Sequence, residues 1–149
     1  MPAYGSLDTA IAGLLVNGYD FIDSMICGES GGIAFGSPVW AAVGAENSAR
    51  AYASGRRLRG VAIASQKEPA GSALYKYQDA MGILQIGTVW VYAGAAVNSG
   101  AAAYWDAANL YWTSSSTSTV QTPYYFKSTT SAAGLALLDV TKSVAAAAV

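Results

Sequence analysis

Ser30 lies in the string Gly28-Glu29-Ser30-Gly31-Gly32, which has the G-x-S-x-G spacing that presents a nucleophilic serine on a tight turn. Such a serine needs a base to take its proton, and the chain contains no histidine. That one absence removes Ser-His-Asp and Cys-His catalysis, His-ligated zinc and pH switching through imidazole. The flanks differ as well. A nucleophile elbow has a buried strand before it and a helix after it, whereas here an acidic stretch leads into Ile33-Ala34-Phe35-Gly36. Gly31 and Gly32 are better explained as turn residues with positive φ. A desolvated lysine can replace histidine as base, and Ser65 and Lys67 would lie on the same side if residues 61–67 stay extended. Lys67, however, borders the turn-rich run Glu68-Pro69-Ala70-Gly71-Ser72, where a solvated ammonium keeps its proton. The nine acids form no evident pair inside an aromatic cleft for glycoside hydrolysis. Cys27 is the single cysteine, so neither an intrachain disulfide nor a Cys-rich metal site can form. The expectation is a chain with no catalytic residues, no metal and no cofactor.

What remains is chemistry suited to binding. Trp40, Trp90, Tyr92, Tyr104, Trp105, Tyr111, Trp112, Tyr124, Tyr125 and Phe126 could stack on sugars, as in a carbohydrate-binding β-sandwich module. Core packing and protein interfaces are the stronger use of the same rings. Arg56, Arg57 and Arg59, with Arg50 upstream, are the basic cluster. With a pI of 5.1 they do not make a nucleic-acid surface. They suit a clamp onto the carboxylates of a protein partner, because the guanidinium fork pairs bidentately; the plain alternative is a solvated loop.

The net charge of −1 hides a segregation along the chain. Residues 1–49 hold Asp8, Asp20, Asp23, Glu29 and Glu46 with no base, giving −5. Residues 50–76 set six bases against Glu68, giving +5, and the remainder is −1. The two blocks can pair within the chain or between neighbouring chains, since opposite potentials register an interface. The candidate partner-interface residues are therefore Asp20, Asp23, Glu29, Arg56, Arg57 and Arg59.

The elements that must carry these residues belong to one domain of 149 residues. Hydrophobic residues make up 53% of the chain, but 30 of them are alanines, and only 11% of residues are charged. An ordinary soluble domain has about 25% charged residues, so this surface suits neighbours in an assembly. Residues 1–16 lack the basic start of a secretory signal, and the apolar tail at 144–149 is too short to span a bilayer. Residues 1–32 are punctuated by glycine and show no sustained period, which predicts an extended N-terminal arm, with a loose helix over 19–27 as the weaker option. From Ile33 to residue 143 the pattern is short apolar runs between turns, which predicts a β domain. Pro38 suits an edge or bend. Residues 60–65 alternate bulk with alanine. Residues 81–94 read as a strand pair with Val89 and Val91 on one face and Trp90 and Tyr92 on the other. Residues 101–113 read as a strand with a bulge in preference to an amphipathic helix, residues 113–119 as an exposed loop or hairpin tip, and residues 123–128 and 134–141 as the last strands. The tail at 144–149 should be frayed or docked on a neighbour.

As an ordered set, these pieces resemble the tailed-phage capsid cement, or decoration, proteins. The matching residues are Phe35 to Val39, Arg59 to Ala64, Ile86 to Gly100, Tyr104 to Ala108 and Gly134 to Val140. The resemblance implies an all-β fold, a small β-barrel or jelly-roll-like domain, that sits on the outside of a capsid, bridges subunits of the major capsid protein and performs no chemistry. It implies a virion protein made in the host cytoplasm, with the major capsid protein and neighbouring copies of itself, as dimer or trimer, for partners. Direct contact with nucleic acid or membrane is not expected.

Overall fold

The computed structural model describes residues 12–15, 21–64 and 74–140. Asp20, Ser65, Lys67 and the tail at 144–149 lie outside the described residues. Within them the regular elements are strands only: β1 (Phe21–Cys27), β2 (Ile33–Ala34), β3 (Pro38–Ala41), β4 (Ser48–Ala49), β5 (Arg57–Ala62), β6 (Leu74–Tyr75), β7 (Ala80–Ala93), β8 (Ala102–Asp106), β9 (Tyr111–Thr113), β10 (Val120–Phe126) and β11 (Gly134–Val140).

The organising element is β7. Its β-branched and aromatic residues favour a pleated surface, and it runs unbroken for 14 residues where the sequence suggested a strand pair. Gly87, at φ +144°, lies where β7 passes from one set of partners to the other. From Gly87 to Ala93 it pairs with all seven residues of β11. The sheet continues through β10, β8 and β9 and returns to β7, where Ala93 pairs with Trp112 and the Gly94 amide donates to the Trp112 carbonyl at 2.8 Å. This closes a five-stranded barrel and removes its edges. The interior is filled by Val89, Val91, Ala93, Ala103, Trp105, Trp112, Tyr124, Phe126, Ala136, Leu138 and Val140, all buried. Trp105 meets Trp112 edge-on with ring centroids 5.4 Å apart. Burying each large side chain contributes about 1.5–3 kcal/mol, so the rings carry much of the core.

Pro123 interrupts β10 without an N–H to donate. The ladder there shifts register between Gln121 and Tyr125, and the buried Thr122 hydroxyl donates to the Ala103 carbonyl at 2.8 Å in place of a backbone amide.

The first half of β7 pairs with β1 on one side and β5 on the other. Beyond β1 lies β4, beyond β5 lies β3, and this set also curls back on itself: the amides and carbonyls of Trp40 and Arg50 exchange hydrogen bonds of 2.8 Å each way. Inside are Met25, Cys27, Val39, Ala41, Ala49, Ala62, Met81 and Ile83. The β2–β6 pair adds Ile33, Phe35 and Tyr75 to this cluster, and the Tyr75 hydroxyl donates to the Ile63 carbonyl at 2.6 Å. Trp40, Val61 and Leu84 join the core of the larger barrel instead. The second half of β5, Gly60 to Ala62, is thus buried on both faces, with Val61 in one core and Ala62 in the other. The described piece 12–15 lies along β7, with the Gly13 amide on the Trp90 carbonyl and the Ala64 amide on the Gly13 carbonyl. Gly13 (φ +84°) and Gly36 (φ +82°) face one another there, and a Cβ on Gly13 would come within 3.0 Å of the Gly36 amide. Only glycine fits both positions.

Several expectations are revised. Residues 21–27 form a strand inside the sheet, with Met25 and Cys27 buried, and the helix option over 19–27 is replaced there by β1. The described part of the segment expected to be an arm is therefore bound to the domain that was expected to begin at residue 33. Residues 102–113 form the hairpin β8–β9 rather than one bulged strand. Of the two architectures considered, the barrel is the one observed. Pro38 begins β3, where it has no ladder amide to lose; of the loop expected at 113–119, residues 114–118 are exposed, while Thr113 ends β9 and is buried.

Candidate partner-binding surfaces

Ser30 occupies an exposed turn after β1, followed by the two-residue strand β2 and no helix. The acidic and basic blocks meet within the chain. The Glu29 carboxylate accepts from Arg50 Nε at 2.9 Å and from the Ala51 amide at 3.0 Å, with Arg56 Nη1 at 3.5 Å. Arg56 also donates to the Ala51 carbonyl at 2.7 Å. This cluster holds the stretch through which β4 closes on β3. Burial alone pushes the Glu29 carboxyl up, but the hydrogen bonds from Arg50 and Ala51 and the charges of Arg50 and Arg56 outweigh it and leave the group below the ordinary glutamate value. Asp23 pairs with Arg59 at 3.1 Å, and Gln85 Nε2 lies 3.5 Å from the same carboxylate oxygen. Arg57 is exposed and belongs to none of the ion pairs among the described residues. Five of the six residues proposed as partner interface are therefore described, and four of those five are bound to one another or to Arg50. Cys27 is buried, and that burial is the main cause raising its thiol pKa, with Glu29 and Asp79 adding to it.

The aromatic residues divide. Trp40, Trp105, Trp112, Tyr124 and Phe126 are core. Tyr92 and Tyr125 are exposed on the outer wall of the larger barrel. There Trp90 pairs with Leu137 and Tyr92 with Leu135, while Tyr125 lies opposite Asp139. The Asp139 carboxylate hydrogen-bonds Tyr125 and raises the phenol pKa. Leu14, alongside Trp90, is exposed as well.

Sequence reading missed the β8–β9 turn. Asp106 Oδ1 accepts from the amides of Ala108 (3.1 Å) and Asn109 (3.0 Å), and Oδ2 accepts from Asn109 Nδ2 at 2.9 Å. Hydrogen bonds from the Asn109 side chain and backbone hold the Asp106 carboxyl below its ordinary value. The only signal in the sequence was the Asp106–Asn109 spacing, which suits an Asx turn.

A small closed β molecule, with most of its described arginines spent on its own ion pairs and with aromatic and aliphatic side chains on its outer wall, defines a protein that acts through its surface. The family model for structural cement proteins (E217 gp24/Pam3 gp6) matches residues 3–141, and the chain belongs to that family. It is a structural component of the phage virion capsid and associates with capsid proteins. Among solved structures it is similar to a chain from the capsid of Myoviridae phage XM1, with a TM-score of 0.71 and 17% identity over 89% of this chain and 90% of that one; this likeness shows the fold. No curated protein matches.

Proposed function

We propose that this chain binds the outside of an already assembled shell and stabilises it by bridging subunits of the major capsid protein, with neighbouring copies of itself as a second contact. The observation that carries this reading is the cement-family match across residues 3–141. The fold supports it, because two sets of strands that close on themselves and share β7 offer a rigid body. Many copies of a modest contact then multiply through multivalency. Of the interface residues proposed from the sequence, Asp20, Asp23, Glu29, Arg56, Arg57 and Arg59, the exposed Arg57 is best placed to reach a capsid carboxylate. Asp23, Glu29, Arg56 and Arg59 act by holding the barrel that presents it.

The test uses particles assembled without this chain. They should have normal size and symmetry, lose DNA at lower temperature than complete particles, and recover on adding back the purified protein. Add-back of Arg57→Glu should restore less than add-back of Lys127→Glu. Failure of shells to form at all, or equal heat resistance with and without the chain, would reject the reading.

A further inference from the structure

A row of polar side chains crosses three strands at one end of the smaller core. Asp23 on β1 and Gln85 on β7 stand two residues along from the buried Met25 and Ile83, and so on the face that lines this core. Arg59 reaches them from β5. Its guanidinium lies 3.1 Å from one oxygen of the Asp23 carboxylate, and Gln85 Nε2 lies 3.5 Å from the same oxygen. The other oxygen accepts from the Ser24 amide at 2.8 Å.

Arg57 stands on the same side of β5. It lies opposite Ala41, which is buried in this core, and the ladder between β3 and β5 shifts register at Arg59, the extra residue that turns to that side as well. The two arginines are thus rooted about 6 Å apart along one strand. The charges do not balance. Arg57 and Arg59 face the single carboxylate of Asp23, and Arg57 belongs to none of the ion pairs among the described residues. The Asp23 side chain is also 42% exposed, so its field extends outward past its own pair. A carboxylate that arrives at Arg57 meets two cations together with an anion of its own sign. Like charges about 8 Å apart in water lower affinity by a factor of about two to three.

We infer that Asp23 tempers the Arg57 contact: it ties β1 to β5 through Arg59 and, from the same place, weakens the hold of Arg57 on a shell carboxylate. This rests on the shell-binding reading above and adds to it an internal carboxylate that opposes the partner's. A single contact weakened in this way lets a misplaced copy leave, while many copies placed together stay bound.

The test is binding of the purified chain to particles assembled without it, at about 50 mM salt, where exposed charges are weakly screened. Asp23→Asn keeps the shape of the side chain and an acceptor for the Ser24 amide, and it should bind about threefold more tightly than wild type. The gain should vanish on an Arg57→Gln background, because both changes act at one contact. Arg59→Gln works in the opposite direction. It leaves the Asp23 charge unpaired beside Arg57, so it should weaken binding, and it carries the test should Asp23→Asn fail to fold. Asp106→Asn makes the same change of net charge on the larger barrel and should leave affinity as it is. Unchanged or weaker binding of folded Asp23→Asn, an equal gain in Asp106→Asn, a gain that persists without Arg57, or undiminished binding of Arg59→Gln overturns the inference while leaving shell binding intact. Absence of wild-type binding overturns the shell reading itself.

Discussion

Glu29 illustrates how a residue that suggested chemistry serves structure instead. Its carboxylate joins the chain leaving β1 to Arg50 and Ala51, on the stretch where β4 closes on β3, and to Arg56 just ahead of β5. Because its carboxyl is depressed in the folded chain, the stabilisation is complete above the ordinary glutamate value, about pH 4.5, and is lost as pH falls through the lower folded value. Glu29→Gln should therefore cost about 1 kcal/mol at pH 7, a modest figure because the group is partly solvated. Urea denaturation of wild type and variant should give midpoints that converge as the pH drops below the folded value. A difference that persists unchanged at pH 2 would show that the carboxylate charge is not what holds this seam. Asp23 and Arg59 are 36 positions apart and Glu29 and Arg50 are 21 apart, so only the opposite signs of the two charge blocks were visible before folding brought them together.

Among the elements, legibility followed contrast between the two faces of a strand. β11 could be read because Ala136, Leu138 and Val140 point inward while its other residues are only partly buried. β1 could not, because its outward face carries Ile22 at 45% and Ile26 at 46% exposure, and its inward face carries Asp23 beside Met25 and Cys27. With apolar and polar residues on both faces, the period of two disappears and the segment reads as an arm. The β8–β9 hairpin was hidden for another reason: its turn has no glycine, and Leu110 takes the positive φ instead. Residues 81–94 read as a strand pair, yet β7 runs through them unbroken, and Gly82 within it makes room for Ile63. The strand reading of β1 has a direct consequence. Its register with β7, together with the bonds from Ile26 to Asn47 and from Cys27 to Asp79, shields its amides in the free chain. Hydrogen exchange on dilute protein should show residues 22–27 protected to the same degree as residues 134–140. Fast exchange confined to 22–27 would mean that this strand orders only on the shell.

At the scale of the molecule, the charge blocks of the sequence become a division of the fold. The smaller barrel carries the described arginines and their acidic partners, while the core of the larger one holds Trp105, Trp112, Tyr124 and Phe126. They are nonetheless one mechanical body. β7 contributes its first half to one barrel and its second half to the other. Trp112, from the larger core, donates its indole N–H to the Gly36 carbonyl at 2.8 Å in the turn between β2 and β3. Leaving that buried carbonyl unpaired would cost about 1–3 kcal/mol, and Trp40, Val61 and Leu84 would lose their cover if the barrels parted. Unfolding should therefore be a single transition. Two built-in probes can check it. In a Trp40→Phe variant the remaining tryptophans, Trp90, Trp105 and Trp112, report on the larger barrel by fluorescence, and Cys27, buried in the smaller one, reports by thiol labelling. Both signals should share one midpoint in urea. Labelling of Cys27 at lower urea than the fluorescence change would show that the smaller barrel opens alone. The smaller barrel would then yield first, and the exposed Arg57 on it would lose its position before the larger barrel unfolds.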